Sequence, residues 1–311
     1  MAEKLPIAAE LDDGCDPKTG RRGTVRYLRN ETAPRAARMM LGNALRLHRE
    51  AAGLSAGEVA RQMAGSPSKL SRIESGTISA KAQDLLKFIE MYKITDPEEQ
   101  TQLRQLATAA QQSPWWQPWA AVTPQYLQAV VSFEDMAVSI RSYQLTYLHG
   151  LLQTPEYARA LIERGRASEG AYDDLIRFRT ARQERFVEAS DKKLLCVVDE
   201  SVLARPVGSP EIMREQLKHL ITLTCDPRVQ LRLVPLHNYD VHVELAPTTI
   251  FDFAGHLPTI AFAEGYDGGL VIEDKKMVDR RVKEFDAVAT QSLGPHATRR
   301  RLQDLLASYR Y

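Results

Sequence analysis

The sequence predicts an α+β protein: a helical N-terminal domain, then a larger α+β domain that ends in a mostly antiparallel sheet. Three observations predict it. From Ala36 to Ala110 every stretch has helical spacing, broken only at Gly53, Gly65, Gly76 and Asp96-Pro97. The run Ser113-Pro114-Trp115-Trp116-Gln117-Pro118-Trp119 holds all three tryptophans and marks a boundary. Beyond it, short β-rich runs alternate with helical ones. The composition, 44% hydrophobic and 26% charged over 311 residues, is that of an ordinary globular chain of about two domains. It excludes collagen-like, disordered and disulfide-scaffold classes.

Residues 1 to about 34 lack helical periodicity and hold Gly14, Pro17, Gly20, Gly23 and Pro34. They read as a flexible arm (1–35), basic in its second half through Lys18, Arg21, Arg22, Arg26 and Arg29. The helical domain spans 36–110 and the C-terminal domain 115–311. In the first helix Leu41, Ala44 and Leu45 repeat at helical spacing. Ser55 with Glu58 three residues later forms a capping box for the second. Ser66 caps a third whose first residue is Pro67. A fourth runs through SAKAQDLLKFIEMYK, and Asp96 caps a fifth. Further on, FEDMAVSIRSYQL, TPEYARALIERG and YDDLIRFRTARQERFVE read as helices, with Thr154-Pro155-Glu156 as a helix start. The segments KLLCVVDE, VQLRLVPL, TTIFDFA, TIAFAEG and GGLVIED read as strands. SPEIMREQLKHLITLT is a helix after the first of these, and two more helices close the chain.

No apolar run approaches the roughly 18 residues that span a bilayer, and the N-terminus carries acids where a signal peptide needs an apolar core. Three scattered cysteines (Cys15, Cys196, Cys225) describe neither a disulfide framework nor a zinc site. The expected location is cytoplasmic. Net charge is only +1, yet Lys18 to Lys93 carries 15 Lys/Arg against 6 Asp/Glu. So basic a segment in an otherwise acidic chain suggests a local nucleic-acid footprint, and charge alone leaves open the alternative of an ordinary solvated surface with a charge fluctuation.

The stretch LSAGEVARQMAGSPSKLSRIESG has the build of a helix-turn-helix. Ala60 is the small residue at the crossing, and Val59, Met63, Leu70 and Ile73 form the buried faces. Gly65 in the turn can adopt a conformation closed to β-branched residues. Ser68, Lys69, Ser71 and Arg72 then face outward or sideways, with Ser68 and Arg72 one turn apart on the outer face. This stretch closely resembles the Xre/Cro-type (lambda-repressor-like) helix-turn-helix family: SPSKLSRIESG matches its recognition helix and LRLHREAAGLS its first helix and turn. The resemblance implies a five-helix domain that binds double-stranded DNA. It implies base contact by Pro67, Ser68 and Arg72 and phosphate contact by Ser66 and Lys69. It also implies a partly buried ion pair between Arg49 and Glu74. One departure is Ala56, where the family often has a glutamine that touches a phosphate; the arm could supply that contact instead.

The C-terminal region resembles the uncharacterised domain attached to many actinomycete Xre-type regulators, through GLLQTPEYARALI, VVDESVLARPVG, VQLRLVPL and FAEGYDGG. That resemblance implies a sensor or interaction domain, for a small-molecule effector or a small acidic partner protein, and implies no reaction. A reader of one short site usually dimerises, so a homodimer is expected. His242 and Glu244 alternate onto one strand face near His237 and Asp240, but no third ligand has firm spacing, and no metal or cofactor is assigned. Asp199-Glu200 and Glu264 are strand-end acids, common on solvated edges, and no catalytic residue is assigned. Arg299-Arg300-Arg301 reads as a solvated helix face, and the tryptophans as packing between domains. P-loop, GxSxG, HExxH and dinucleotide-binding signatures do not occur. Two rival readings remain at this point: an enzyme that uses the helix-turn-helix only for localisation, and a protein-interaction adaptor.

Overall fold

A computed structural model of the chain describes residues 25–29, 36–165, 167–237, 245–265 and 268–309. It opens on strand β1 (Val25–Arg29). Five helices follow: α1 (Ala36–Ala51), α2 (Ala56–Gln62), α3 (Pro67–Glu74), α4 (Ala82–Met91) and α5 (Pro97–Ala109). The larger region runs α6 (Gln125–Met136), β2 (Ser139–Gln144), α7 (Pro155–Arg164), α8 (Tyr172–Glu188), β3 (Lys193–Asp199), α9 (Ser201–Ala204), α10 (Pro210–Leu223) and β4 (Val229–Val234). Strands β5 (Thr248–Asp252), β6 (Ile260–Gly265) and β7 (Gly268–Ile272) then lead to α11 (Lys275–Gln291) and α12 (Pro295–Ser308).

The strands form one sheet in the order β1-β7-β6-β5-β2-β3-β4. Four neighbouring pairs are antiparallel, as expected, but β2/β3 and β3/β4 are parallel. Parallel neighbours need a long crossover, and α7–α8 and α9–α10 provide the two. The period-2 alternation divides the strands cleanly. Tyr143, Val197, Ile250, Ala261 and Ile272 face Phe285 and Val288 of α11. Cys196, Val198, Phe251, Phe262 and Val271 face the opposite way, into a core shared with α10 and α12. That second core continues through Phe133 of α6 into Met39, Met40 and Leu45 of α1, so the helical domain and the sheet share buried apolar surface. A polar contact adds to this: His256, between β5 and β6, donates its backbone N–H to Gln102 (3.3 Å), and its ring lies 3.0 Å from Asp96, both at α5.

Three expectations are corrected. Residues 25–29, expected in a flexible arm, form β1, paired antiparallel with β7 from Val25↔Ile272 to Arg29↔Gly268; the rest of the arm lies outside the described residues. FEDMAVSIRSYQL is not one helix. Its first part ends α6 and its last residues form β2, because Ile140 and Tyr143 are buried on opposite sheet faces. Arg301 is not on a merely solvated face: its Nε donates to Glu200 at 3.0 Å, and Glu200 is buried. Among the described residues no helix is long and apolar enough to cross a membrane.

Candidate nucleic-acid interface

Local chemistry sets the helix-turn-helix. The Ser55 hydroxyl accepts from the Glu58 N–H at 3.3 Å while the Glu58 carboxylate accepts from the Ser55 N–H at 2.8 Å. Two orphan donors at the start of α2 are thereby satisfied. The Ser55 hydroxyl also donates to the Glu58 carboxylate at 2.6 Å, and this bond first, then the one from the Ser55 N–H, holds the Glu58 carboxyl below its ordinary range. Ser66 begins α3 in the same way, accepting from the Lys69 N–H at 3.1 Å, with Pro67 in the first helical position. Val59 and Ala60 of α2 and Leu70 and Ile73 of α3 are all buried, and Val59, Leu70 and Ile73 join the core that includes Leu41 and Leu45 of α1. In the turn, the left-handed residue is Ala64 (φ 49°), not the expected Gly65. Gly65 has ordinary space around it.

The approach of α1 to α3 depends on two glycines. A Cβ on Gly42 would collide with the carbonyl oxygens of Ile73 and Glu74, lying 2.6 Å from the latter. Gly76, just past α3, has φ +67°, and a Cβ there would stand 2.7 Å from the Met39 backbone. Beside this crossing Arg49 and Glu74 meet. Arg49 Nε and Nη2 donate to the two Glu74 oxygens at 2.6 and 3.0 Å, and Nη1 donates to the Leu54 carbonyl at 2.9 Å. Both side chains are about 10% exposed, at 11% and 9%. The bond to Glu74 raises the Arg49 pKa above its ordinary value, more than burial lowers it.

With α3 seated by Leu70, Ile73 and Glu74, its other face is left to solvent. Ser66, Pro67, Ser68, Lys69, Ser71 and Arg72 are all exposed. Ser68 and Arg72 lie one helical turn apart on this surface. Lys69 differs from a free phosphate-seeking cation: its ammonium donates to Asp84 of α4 at 2.9 Å, and Asp84 is mostly buried. Asp84 is the residue at this face that sequence reasoning missed. It stands fifteen positions from Lys69, with no periodic relation to it.

Elsewhere, the described residues among those considered from sequence do not assemble into a site. Asp240, His242 and Glu244 lie outside the described residues, and His237 is exposed. Asp199 accepts the Ser201 N–H at 2.9 Å, while Glu200 is committed to Arg301. Thr154 is a helix cap, accepting from the Tyr157 N–H at 3.2 Å. The tryptophans pack around Phe178 of α8: Trp115 stacks on it at 5.6 Å, and Trp116 donates to Ser132 at 2.7 Å.

Comparison with known families finds two matches. Residues 40–103 match a family model described as a helix-turn-helix domain, a DNA-binding element. Residues 127–304 match the model described as Domain of unknown function (DUF5753). No curated protein matches the chain. More than half of its length is covered by the second model, and the chain therefore belongs to the DUF5753 family, with a helix-turn-helix domain ahead of the family's domain.

Proposed function

We propose that the protein is a sequence-specific transcriptional regulator of the Xre/Cro type, acting in the cytoplasm as a homodimer on a palindromic operator. Its C-terminal domain senses a small molecule or binds a small acidic partner protein, and carries out no reaction. The exposed face of α3 supports this most directly. Arg72 is the long cationic side chain of that face not engaged by an acid in the way Lys69 is, and arginine pairs bidentately with guanine O6 and N7 in the major groove. Ser68 lies beside it, and Ser66, Pro67 and Ser71 flank the pair for backbone contact and fit. The basic surplus between Lys18 and Lys93 supplies the attraction to phosphate.

The test is selection of a binding site from random duplex DNA, followed by anisotropy titration of the full chain and of Arg72→Ala. The variant should lose about 1–3 kcal/mol on the selected site and relax preference at one position per half-site, with little loss on random DNA. Equal loss on both would reduce Arg72 to a phosphate contact. Light scattering on the full chain reads the dimer, and a monomer at tens of micromolar would overturn that part of the reading.

A further inference from the structure

A cavity of about 320 Å³ lies where the helix-turn-helix domain meets the DUF5753 domain. Ala37 of α1 and Ala109 of α5 wall it on one side, the linker residues Trp115 and Trp116 on another, and Asp135 and Arg185 of α6 and α8 on the third. We propose that this cavity is the effector site of the protein and takes an uncharged, planar aromatic molecule bearing a polar group at one edge. This deepens the small-molecule sensing role proposed above and rests on it.

The chemistry of the walls selects that class. The volume is at the small end of known ligand pockets, which run from about 300 to 1,000 Å³, so a compact ring system fits and a long chain does not. Most of the wall is apolar: alanines, Pro114, Met136 and two indoles. Flat aromatic ligands pack well against such rings by offset or edge contact. The charged wall groups are already matched. Arg185 Nε donates to Asp135 at 2.8 Å, and its guanidinium lies 5.2 Å from the centre of the Trp115 ring. A charged ligand group would meet no unpaired counter-charge in this wall, whereas a neutral one needs none. Ser113, an exposed member of the lining, brings a hydroxyl to this wall for a polar edge.

The cavity is also placed to affect the reader. Helix α1 begins at its wall, crosses α3 at Gly42, and holds the end of α3 through Arg49 and Glu74. A ligand that fits one setting of α1 better than another biases the α3 face by that difference in affinity, and DNA must bias ligand binding by the same factor.

The probe is Nile red, a neutral planar dye, titrated into the full chain. All three tryptophans lie at 115–119, so quenching of their emission reports on this wall. We expect saturable one-to-one binding, weakened roughly tenfold or more by Ala109→Phe. That substitution fills the cavity from an exposed helical position, and Gln112→Trp is a second filler from another exposed position. Both variants should keep the parent melting temperature and random-DNA affinity. Saturating dye should shift operator affinity roughly fivefold or more in the parent and not in either variant. Absence of saturable binding, or binding that both fillers leave unchanged, overturns the site. Dye binding that both fillers abolish, with operator affinity unmoved by dye, overturns effector coupling while leaving the cavity a binding site. Loss of operator binding by the parent without dye would instead overturn the regulator reading.

Discussion

Glu74→Ala should destabilise the protein far more than its single position at the end of a recognition helix implies. The substitution removes both acceptors of a two-point ion pair, at 2.6 and 3.0 Å, and leaves a guanidinium that is only 11% exposed. Breaking a buried pair from one side costs about 3–5 kcal/mol, because the surviving charge is stranded away from water. Here the Leu54 carbonyl at 2.9 Å still accepts from Arg49, and the half-exposed Glu50 lies 3.7 Å away. These offset part of the penalty and place the expectation near about 3 kcal/mol. For a cooperative unit of this size, each kcal/mol moves the midpoint by about 2–4 °C, so the melting temperature should fall by roughly 6–12 °C. Calorimetry of the full chain measures the shift, and hydrogen exchange should lose protection in α1 and α3 before the sheet. The double variant Arg49→Met/Glu74→Leu is the control. Removing both charges together should recover most of the loss. A single variant that melts within about 1 °C of the parent, or a double variant as unstable as the single, would refute the stranded-charge argument.

Three further outcomes are expected. Asp84→Asn should free the Lys69 ammonium for DNA, steepening the slope of log K against log salt by about 0.9 and strengthening random-DNA binding; an unchanged slope would mean Lys69 does not reach a phosphate. Gly76→Ala should be severely destabilising, because it places a side chain on a left-handed residue 2.7 Å from the Met39 backbone; circular dichroism melting would show it, and a parent-like melt would contradict it. His149 is buried and neutral, held well below its ordinary value by desolvation and, secondarily, by Arg182 and Arg179. The unfolded chain therefore takes up the proton first, so His149 contributes stability above about pH 6.5 that is lost as pH falls below it. His149→Gln should flatten that acid limb of the stability curve.

The parts of the fold legible in the sequence are those whose cause is local. Ser55 with Glu58, Ser66 with Pro67, and Asp96 before Pro97 each put a cap and its helix within four residues, and the helices begin there. The parts that were not legible depend on distant partners. Strand β2 follows α6 after two residues with no glycine or proline between them, and six residues of alternation do not outweigh the helical run before them. Strand β1 finds its partner more than two hundred residues downstream. The site divides in the same way. The outward row from Ser66 to Arg72 follows from helical geometry once Leu70 and Ile73 are buried. The hold of Asp84 on Lys69 comes from the tertiary placement of α4 beside Lys69, which no spacing encodes. Gly42 reads in sequence as a weak helix residue, and only the crossing explains why a side chain there is excluded.

Because β1 precedes the helix-turn-helix domain and β2 follows it, the reader is an insertion within the chain of the sheet domain, anchored at both ends. A protease that nicks the tryptophan linker does not release it, since residues 30–35 still join it to an edge strand. During synthesis the ribosome delivers β1 well before its neighbour β7, so the reader is made and can fold while that strand waits for a partner. Two covalent tethers and the apolar core shared with α6 thus hold the helix-turn-helix domain against the sheet domain at both of its ends.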